Sequence, residues 1–136
     1  MDRLVFRALL ATAGVVLMAL PVWAHHSFAA AYDVNKPVIL TGVVTQVRIA
    51  NPHTYFFVDV TDQSGKVTNW GFEGNTPTSL IRSGYKPDTV KVGDKVTIKG
   101  SHAREMSVNM GAVESITLAD GRSFIVGHTG KEADTN

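Results

Sequence analysis

The residues of this sequence best suited to chemistry are two adjacent histidines, His25 and His26, which follow a segment typical of a secretory signal. Cleavage after Ala24 would make His25 the first residue, with a free amine beside its imidazole. These two nitrogens can close one chelate ring on a metal ion, and an amine with a pKa of about 7.7 to 8 loses its proton readily near neutrality. The pattern predicts a metal site at the processed terminus.

A third nitrogen from another histidine would complete a planar or T-shaped donor set suited to Cu(II). This arrangement resembles the histidine brace of copper proteins and copper monooxygenases, which also begin with a processed histidine. The resemblance implies copper as the cofactor and, as a low-ranked function, a copper-dependent oxidase. The alternative is an ordinary polar junction, since signal cleavage sites are often followed by polar residues.

Further ligand candidates lie in two turns of the chain. His53 follows Pro52 in a sharp turn and is the first choice, whereas His102 and Met106 share a later polar segment and Met110 starts the strand after it. Thioether sulfur favours Cu(I), so the two methionines are weaker candidates for a reduced-copper site. The competing interpretations are a turn histidine bonded to the backbone and methionines that fill gaps in the core.

Residues 1–24 have the parts of a secretory signal. Arg3 and Arg7 give a positive start, residues 8–20 are mainly apolar, and Ala24 supplies the small residue of a cleavage site. The apolar run is too short for a stable membrane span. We therefore expect a periplasmic or secreted protein that is not membrane-embedded once the signal is removed.

The composition after the signal excludes several classes of protein. Of 13 Lys and Arg and 12 Asp and Glu, 11 of each lie beyond residue 24, so the expected mature chain is close to neutral. Nucleic-acid binding, which needs a clustered basic face, is not expected. The sequence has no Cys, so the domain must fold without disulfides. It also lacks a nucleophile elbow, a phosphate-binding loop and a dinucleotide fingerprint, which leaves hydrolase and nucleotide chemistry without support.

Branched and aromatic residues in alternation predict a mainly β domain at 36–126, between an N-terminal arm at 25–35 and a flexible tail at 127–136. Strands are predicted at 37–49, 55–60, 67–72, 90–100, 110–118 and 123–126, and one helix at 76–84. Three strands, a short helix and two or three more strands is the order of the OB-fold, a small Greek-key β-barrel. A β-sandwich is the rival architecture, and the position of the helix favours the barrel.

The strand aromatics allow a second hypothesis of a different kind. Tyr55, Phe57, Trp70 and Phe72 belong to neighbouring predicted strands. On an OB binding face such residues stack on ligands, so Tyr55 and Trp70 are candidates for a ligand face, although in most small barrels they are core. The alternative function is therefore a metal-free module that binds a small ligand, an oligosaccharide or a protein partner.

Several short motifs together resemble one known family. They are Ala24-His25-His26-Ser27-Phe28, the strand start from Lys36-Pro37-Val38 to Gly42, Asn51-Pro52-His53, Thr68-Asn69-Trp70 with Phe72-Glu73, and Gly93-Asp94. The chain is similar in these motifs to a family of small secreted bacterial proteins of unknown function. The resemblance implies a secreted single domain and brings no activity, substrate or catalytic residue.

Overall fold

Six strands and two short helices make up residues 28–127, the part of the chain that the computed structural model describes. In chain order the elements are α1 (Phe28–Ala31), β1 (Tyr32–Arg48), β2 (Tyr55–Thr61), β3 (Val67–Glu73), α2 (Pro77–Arg82), β4 (Lys95–Ala103), β5 (Met110–Leu118) and β6 (Ser123–Ile125). The predicted mainly β fold, with a helix between the third and fourth strands, is confirmed. Neither described helix is long and apolar enough to cross a membrane.

The sheet closes on itself. Its strands follow the order β3-β2-β1-β4-β5-β6, and β3 also pairs in parallel with β5. The first five strands therefore form a closed ring, while β6 is added to the outer edge of β5. This closure is that of the small OB-like barrel predicted from the order of the elements.

Strand β1 is long because it pairs with β2 on one side of the ring and with β4 on the other. Val43 pairs with Asp59 of β2 on one side and with Lys95 of β4 on the other. The neighbouring Gly42 is buried, and a Cβ at that position would lie 2.5 Å from the carbonyl oxygen of Asp59. A side chain is excluded at the point where β1 passes from one partner to the other.

The core follows from the alternation of the strands. On β2, Phe56 and Val58 are fully buried while Tyr55 and Phe57 lie on the outer face at intermediate exposure, as their spacing predicts. The buried core cluster consists of Val44, Phe56, Val58, Phe72, Leu80, Tyr85, Val90, Val96, Ile98, Val113, Ile116 and Val126. This apolar set holds the ring together without disulfides.

A second, smaller cluster covers one part of the outer face. Tyr32, Ala103 and Ala112 are its buried members, and Phe28, Ala31 and Met110 pack against them. Helix α1 is held there by Arg104, whose backbone N–H donates to the carbonyl of Ala31 and whose Nε donates to that of Ala29. The start of the described chain is thus fixed to the loop between β4 and β5.

Helix α2 has the ends that its sequence predicts. The Thr76 hydroxyl accepts a hydrogen bond from the N–H of Ser79 at 3.2 Å, and Pro77 occupies the first turn. Gly84, just beyond the end, has a φ of 87°, which favours glycine. The helix contributes Leu80 to the core.

The start and the end of β4 and the start of β1 differ from the sequence expectations. Strand β4 begins at Lys95 and not at Val90, because Gly93 has a φ of 92° and the Asp94 carboxylate accepts from the backbone N–H of Lys91 at 2.8 Å, which makes a turn. The same strand continues to Ala103, into the segment predicted as loop. Strand β1 begins at Tyr32, inside the segment predicted as an N-terminal arm.

Candidate functional site

The carboxylate of Glu73 is the centre of a polar cluster on the outer face of the sheet. Its neighbour Phe72 is buried in the core, so strand alternation turns Glu73 outward. Glu73 Oε2 accepts from the hydroxyl of Tyr32 at 2.6 Å and from that of Tyr55 at 3.3 Å. Glu73 Oε1 lies 3.3 Å from Nδ1 of His53. One carboxylate thus gathers three side chains that are far apart in the sequence.

His53 lies in the loop between β1 and β2, which is tied to the end of β3. The N–H of Thr54 donates to the carbonyl of Asn75, and the N–H of Gly74 donates to the carbonyl of Thr54 at 2.7 Å. The His53 side chain is 35% exposed, and its Nδ1 is also 3.3 Å from the carbonyl oxygen of Gly74. Both neighbours of Nδ1 are acceptors, which favours the tautomer with its proton on Nδ1 and its lone pair on Nε2.

Two tyrosines of the cluster remain protonated donors. Burial, reinforced by the nearby Glu73 carboxylate, raises the pKa of Tyr32 and that of Tyr55. The guanidinium of Arg48 lies 4.5 Å from the centroid of the Tyr55 ring, and the Tyr55 and Phe57 rings stack with centroids 6.5 Å apart. The cluster therefore combines a held imidazole, a carboxylate and a partly exposed aromatic surface.

The described chain begins next to this cluster. The Phe28 ring has its centroid 5.3 Å from that of Tyr32, whose hydroxyl contacts Glu73. His25 and His26 lie outside the described residues, as do the predicted signal and its cleavage site. His25 precedes Phe28 by three residues, which limits the distance between their Cα atoms to about 11 Å.

His102 occupies a different environment from His53. It is 9% exposed in β4, its ring meets Trp70 edge-on with centroids 5.2 Å apart, and its Nδ1 lies 2.8 Å from the carbonyl oxygen of Ala103. Trp70 stacks on the buried Phe72, on the inner face of β3. His102 and Trp70 thus lie on the opposite face of β3 from Glu73 and its neighbours His53 and Tyr55.

The two candidate methionines also lie in different environments. Met106 is 53% exposed in the loop between β4 and β5. Met110 packs over Gly71, where a Cβ would lie 2.5 Å from its Sδ and 3.1 Å from the Phe57 ring. Met110 therefore fills the space above a glycine on the outer face.

His53 and Glu73 form a pair of potential metal donors. Within residues 28–127 no group of three or more His, Cys, Asp or Glu side chains is placed to hold a metal ion. A metal at His53 would need donors from the remaining chain. In the sequence Glu73 stands out only as part of the motif Phe72-Glu73, and no sequence signal connects Tyr32 to Glu73, because 41 residues separate them.

A cleft of about 440 Å³ lies elsewhere on the molecule. Leu118 lines it, and Leu118 is six residues along β5 from Ala112, which pairs with Glu73. At roughly 3.3 Å per strand residue this places the cleft about 20 Å from the cluster. Its other lining residues are Lys86, Asp88, Thr89, Lys91, Asp94, Lys95, Ala119, Asp120 and Arg122.

Comparison with known proteins gives a family and no function. Residues 12–126 match the model of a protein family whose function is unknown. No curated protein matches the chain. No solved structure matches it either.

Proposed function

The chain belongs to the family of unknown function DUF6152, and we propose from its own residues that it is an exported protein that holds copper or another late transition metal. In this proposal the metal lies between the processed N-terminal His25 and the imidazole of His53. The observation that supports it is the orientation of His53, whose Nδ1 lies 3.3 Å from Glu73 Oε1 and from the carbonyl oxygen of Gly74, which leaves Nε2 as the ring nitrogen for a metal.

The donor set is three nitrogens. The amine and the imidazole of His25 supply two, and Nε2 of His53 supplies the third, which is a planar or T-shaped arrangement that Cu(II) accepts. His26 offers a further imidazole next to the chelate. His102 is assigned to the core in this proposal, because its ring packs on Trp70 and its Nδ1 is bonded to the backbone.

The reach of the chain supports this pairing. Phe28 packs against Tyr32, the Tyr32 hydroxyl contacts Glu73, and Glu73 contacts His53. The three-residue step from Phe28 to His25 covers up to about 11 Å. The proposal requires that this step bring the His25 nitrogens to within a metal–nitrogen bond length, near 2 Å, of a metal bound to Nε2 of His53.

Calorimetric titration with Cu(II) tests the proposal on the processed protein. We expect affinity to fall at least tenfold when the amine of His25 is acetylated and also when His53 is changed to Asn, because each change removes a nitrogen donor. His128→Asn is the matched control, a histidine outside the proposed set. Equal affinity in the acetylated and the free processed proteins would exclude the terminal chelate. Mass spectrometry of the exported protein, with and without metal, fixes its first residue and its metal occupancy together.

A metal-free binding module is the second candidate. The observation in its favour is the pair of stacked rings of Tyr55 and Phe57 on the outer face, where OB-type barrels bind their ligands. If the protein is such a module, we expect that the processed protein binds no metal. We also expect Tyr55→Ala to abolish binding of an oligosaccharide or other small ligand. The copper-dependent oxidase needs, besides Cu(II) binding, turnover of hydrogen peroxide or a reduced substrate by the loaded protein.

A further inference from the structure

We propose that the cleft lined by Leu118 binds a small organic anion, with Lys86, Lys91 and Lys95 as the cationic groups that hold it. The cleft has a volume of about 440 Å³ and lies between the segment that joins α2 to β4 and the turn that joins β5 to β6. None of the residues that line it is a histidine. The proposal therefore goes beyond the metal function and does not depend on it.

The size of the cleft indicates a small molecule and not a single ion. Pockets that bind small molecules usually have volumes of about 300–1,000 Å³, and this cleft falls within that range. Leu118 lines the cleft and also packs against the core cluster, so the lining has an apolar part beside its charged groups. A ligand that fills the cleft needs a carbon skeleton as well as a charge.

The charged groups around the cleft favour an anion. Four lysine and arginine side chains line it, against three carboxylates. Two of the carboxylates already have partners, since Asp120 pairs with Arg122 at 2.8 Å and Asp94 accepts from the backbone N–H of Lys91 at 2.8 Å. The ammonium groups of the three lysines form no ion pair within residues 28–127, and all three lysines are exposed. With Asp88 as the third carboxylate, the lysines are in excess and available to an anionic ligand.

Hydrogen-bonded turns hold both walls of the cleft in place. On one side, the N–H of Lys86 donates to the hydroxyl of Thr89 at 2.8 Å, and the N–H of Thr89 donates to the carbonyl of Lys86 at 2.9 Å. On the other side, the N–H of Leu118 donates to the carbonyl of Arg122 at 2.8 Å, and the N–H of Gly121 donates to the carbonyl of Leu118 at 3.0 Å. A cleft with walls fixed in this way binds a ligand without the entropic cost of ordering its loops.

Titration of the isotope-labelled protein with citrate and with glucose 6-phosphate, followed by nuclear magnetic resonance, tests the proposal with a carboxylate probe and a phosphate probe. We expect saturable shifts of the amides of residues 86–95 and 118–122 with at least one probe, and none with neutral glucose. Lys91→Gln should weaken binding by about two- to fivefold, the usual contribution of an exposed charge pair. Changing Lys86 and Lys91 together to Gln should weaken it by about tenfold.

Lys66→Gln is the matched control, since Lys66 is an exposed lysine between β2 and β3 that does not line the cleft. It should leave the affinity unchanged. Ala119→Trp adds a large side chain to the lining without changing its charge and should abolish binding.

Three results would overturn the proposal. They are the absence of saturable shifts with both probes, equal weakening by Lys66→Gln and Lys91→Gln, and original affinity in the Ala119→Trp protein. Each of them leaves the proposed metal function standing, because the cleft contributes no histidine to that site.

Discussion

At the scale of single residues, the two described histidines show how position decides chemistry. His53 is partly exposed, with Nδ1 3.3 Å from the Gly74 carbonyl oxygen and 3.3 Å from a carboxylate oxygen of Glu73, whereas His102 is buried against Trp70. Both rings have a backbone oxygen near Nδ1. The difference lies in the face of β3 that each one contacts, which the residue type alone does not determine.

Tyr85 gives a prediction at the same scale. It is 4% exposed, and burial raises the pKa of its phenol to about 12. The unfolded chain ionises near pH 10, so the stability contributed by the protonated phenol is complete below pH 10 and is lost as pH rises toward 12. Between pH 9 and 11.5, the free energy of unfolding of the original protein should fall by about 1–2 kcal/mol more than that of Tyr85→Phe. Urea denaturation at each pH measures this difference. Parallel pH profiles for the two proteins would contradict this.

At the scale of elements, the loop between β1 and β2 presents His53 because both of its sides are anchored. Tyr55 pairs with Glu73 at the start of β2, and the bonds of Thr54 to Gly74 and Asn75 extend that pairing into the loop. The imidazole is therefore carried by a segment with fixed backbone partners. A histidine carried by such a segment loses little conformational freedom when it binds a metal.

Helix α2 gives a prediction about its own stability. Its six residues are too few to form a helix alone, so the cap on Thr76 and the burial of Leu80 must hold it. Thr76→Ala should lower the free energy of unfolding by about 1 kcal/mol, since the N–H of Ser79 loses its acceptor. Thr78→Ala, an exposed change inside the same helix, is the control. Equal denaturation midpoints for the two variants would show that the cap does not contribute.

At the scale of the whole molecule, closure of the ring assembles the candidate site. The parallel pairing of β3 with β5 brings Glu73 next to Ala112, and β5 pairs in turn with β4, whose end pairs with Tyr32. Tyr32 and Glu73 meet only because the sheet returns on itself. In an open sheet of the same strands, Glu73 would lie on the edge strand β3, apart from the start of β1, which pairs with β4 and carries Tyr32.

A substitution at Gly42 tests how much the closure of the ring contributes to stability. A methyl group there would press on the backbone carbonyl of Asp59, which cannot move without disturbing the pairing of β1 with β2. Gly42→Ala should lower the free energy of unfolding by about 1–3 kcal/mol in urea denaturation. Gln46→Ala, an exposed change on the same strand, should alter it by less than about 0.5 kcal/mol. A Gly42→Ala protein as stable as the original would show that the two strands can separate at no cost.

The sequence predicted most of the secondary structure, because alternation and capping are local. The alternation of Phe56 and Val58 with Tyr55 and Phe57 gave the faces of β2, and Thr76, Pro77 and Gly84 gave the ends of α2. Gly93-Asp94 indicated a tight turn at the entry to β4, and the structure has that turn. The start of the strand was still predicted five residues early, because the valines before the turn continue the alternation of those after it.

For the candidate site, the sequence by itself determined the residue types: paired histidines after a signal-like segment and a histidine in a proline turn. Only the tertiary structure decided which face of β3 each described histidine meets, and that a carboxylate 20 residues beyond His53 lies beside its ring. The physical reason is that these contacts depend on the closure of the sheet, which joins residues distant in sequence. Periodicity along one strand carries no information about the strand that returns beside it.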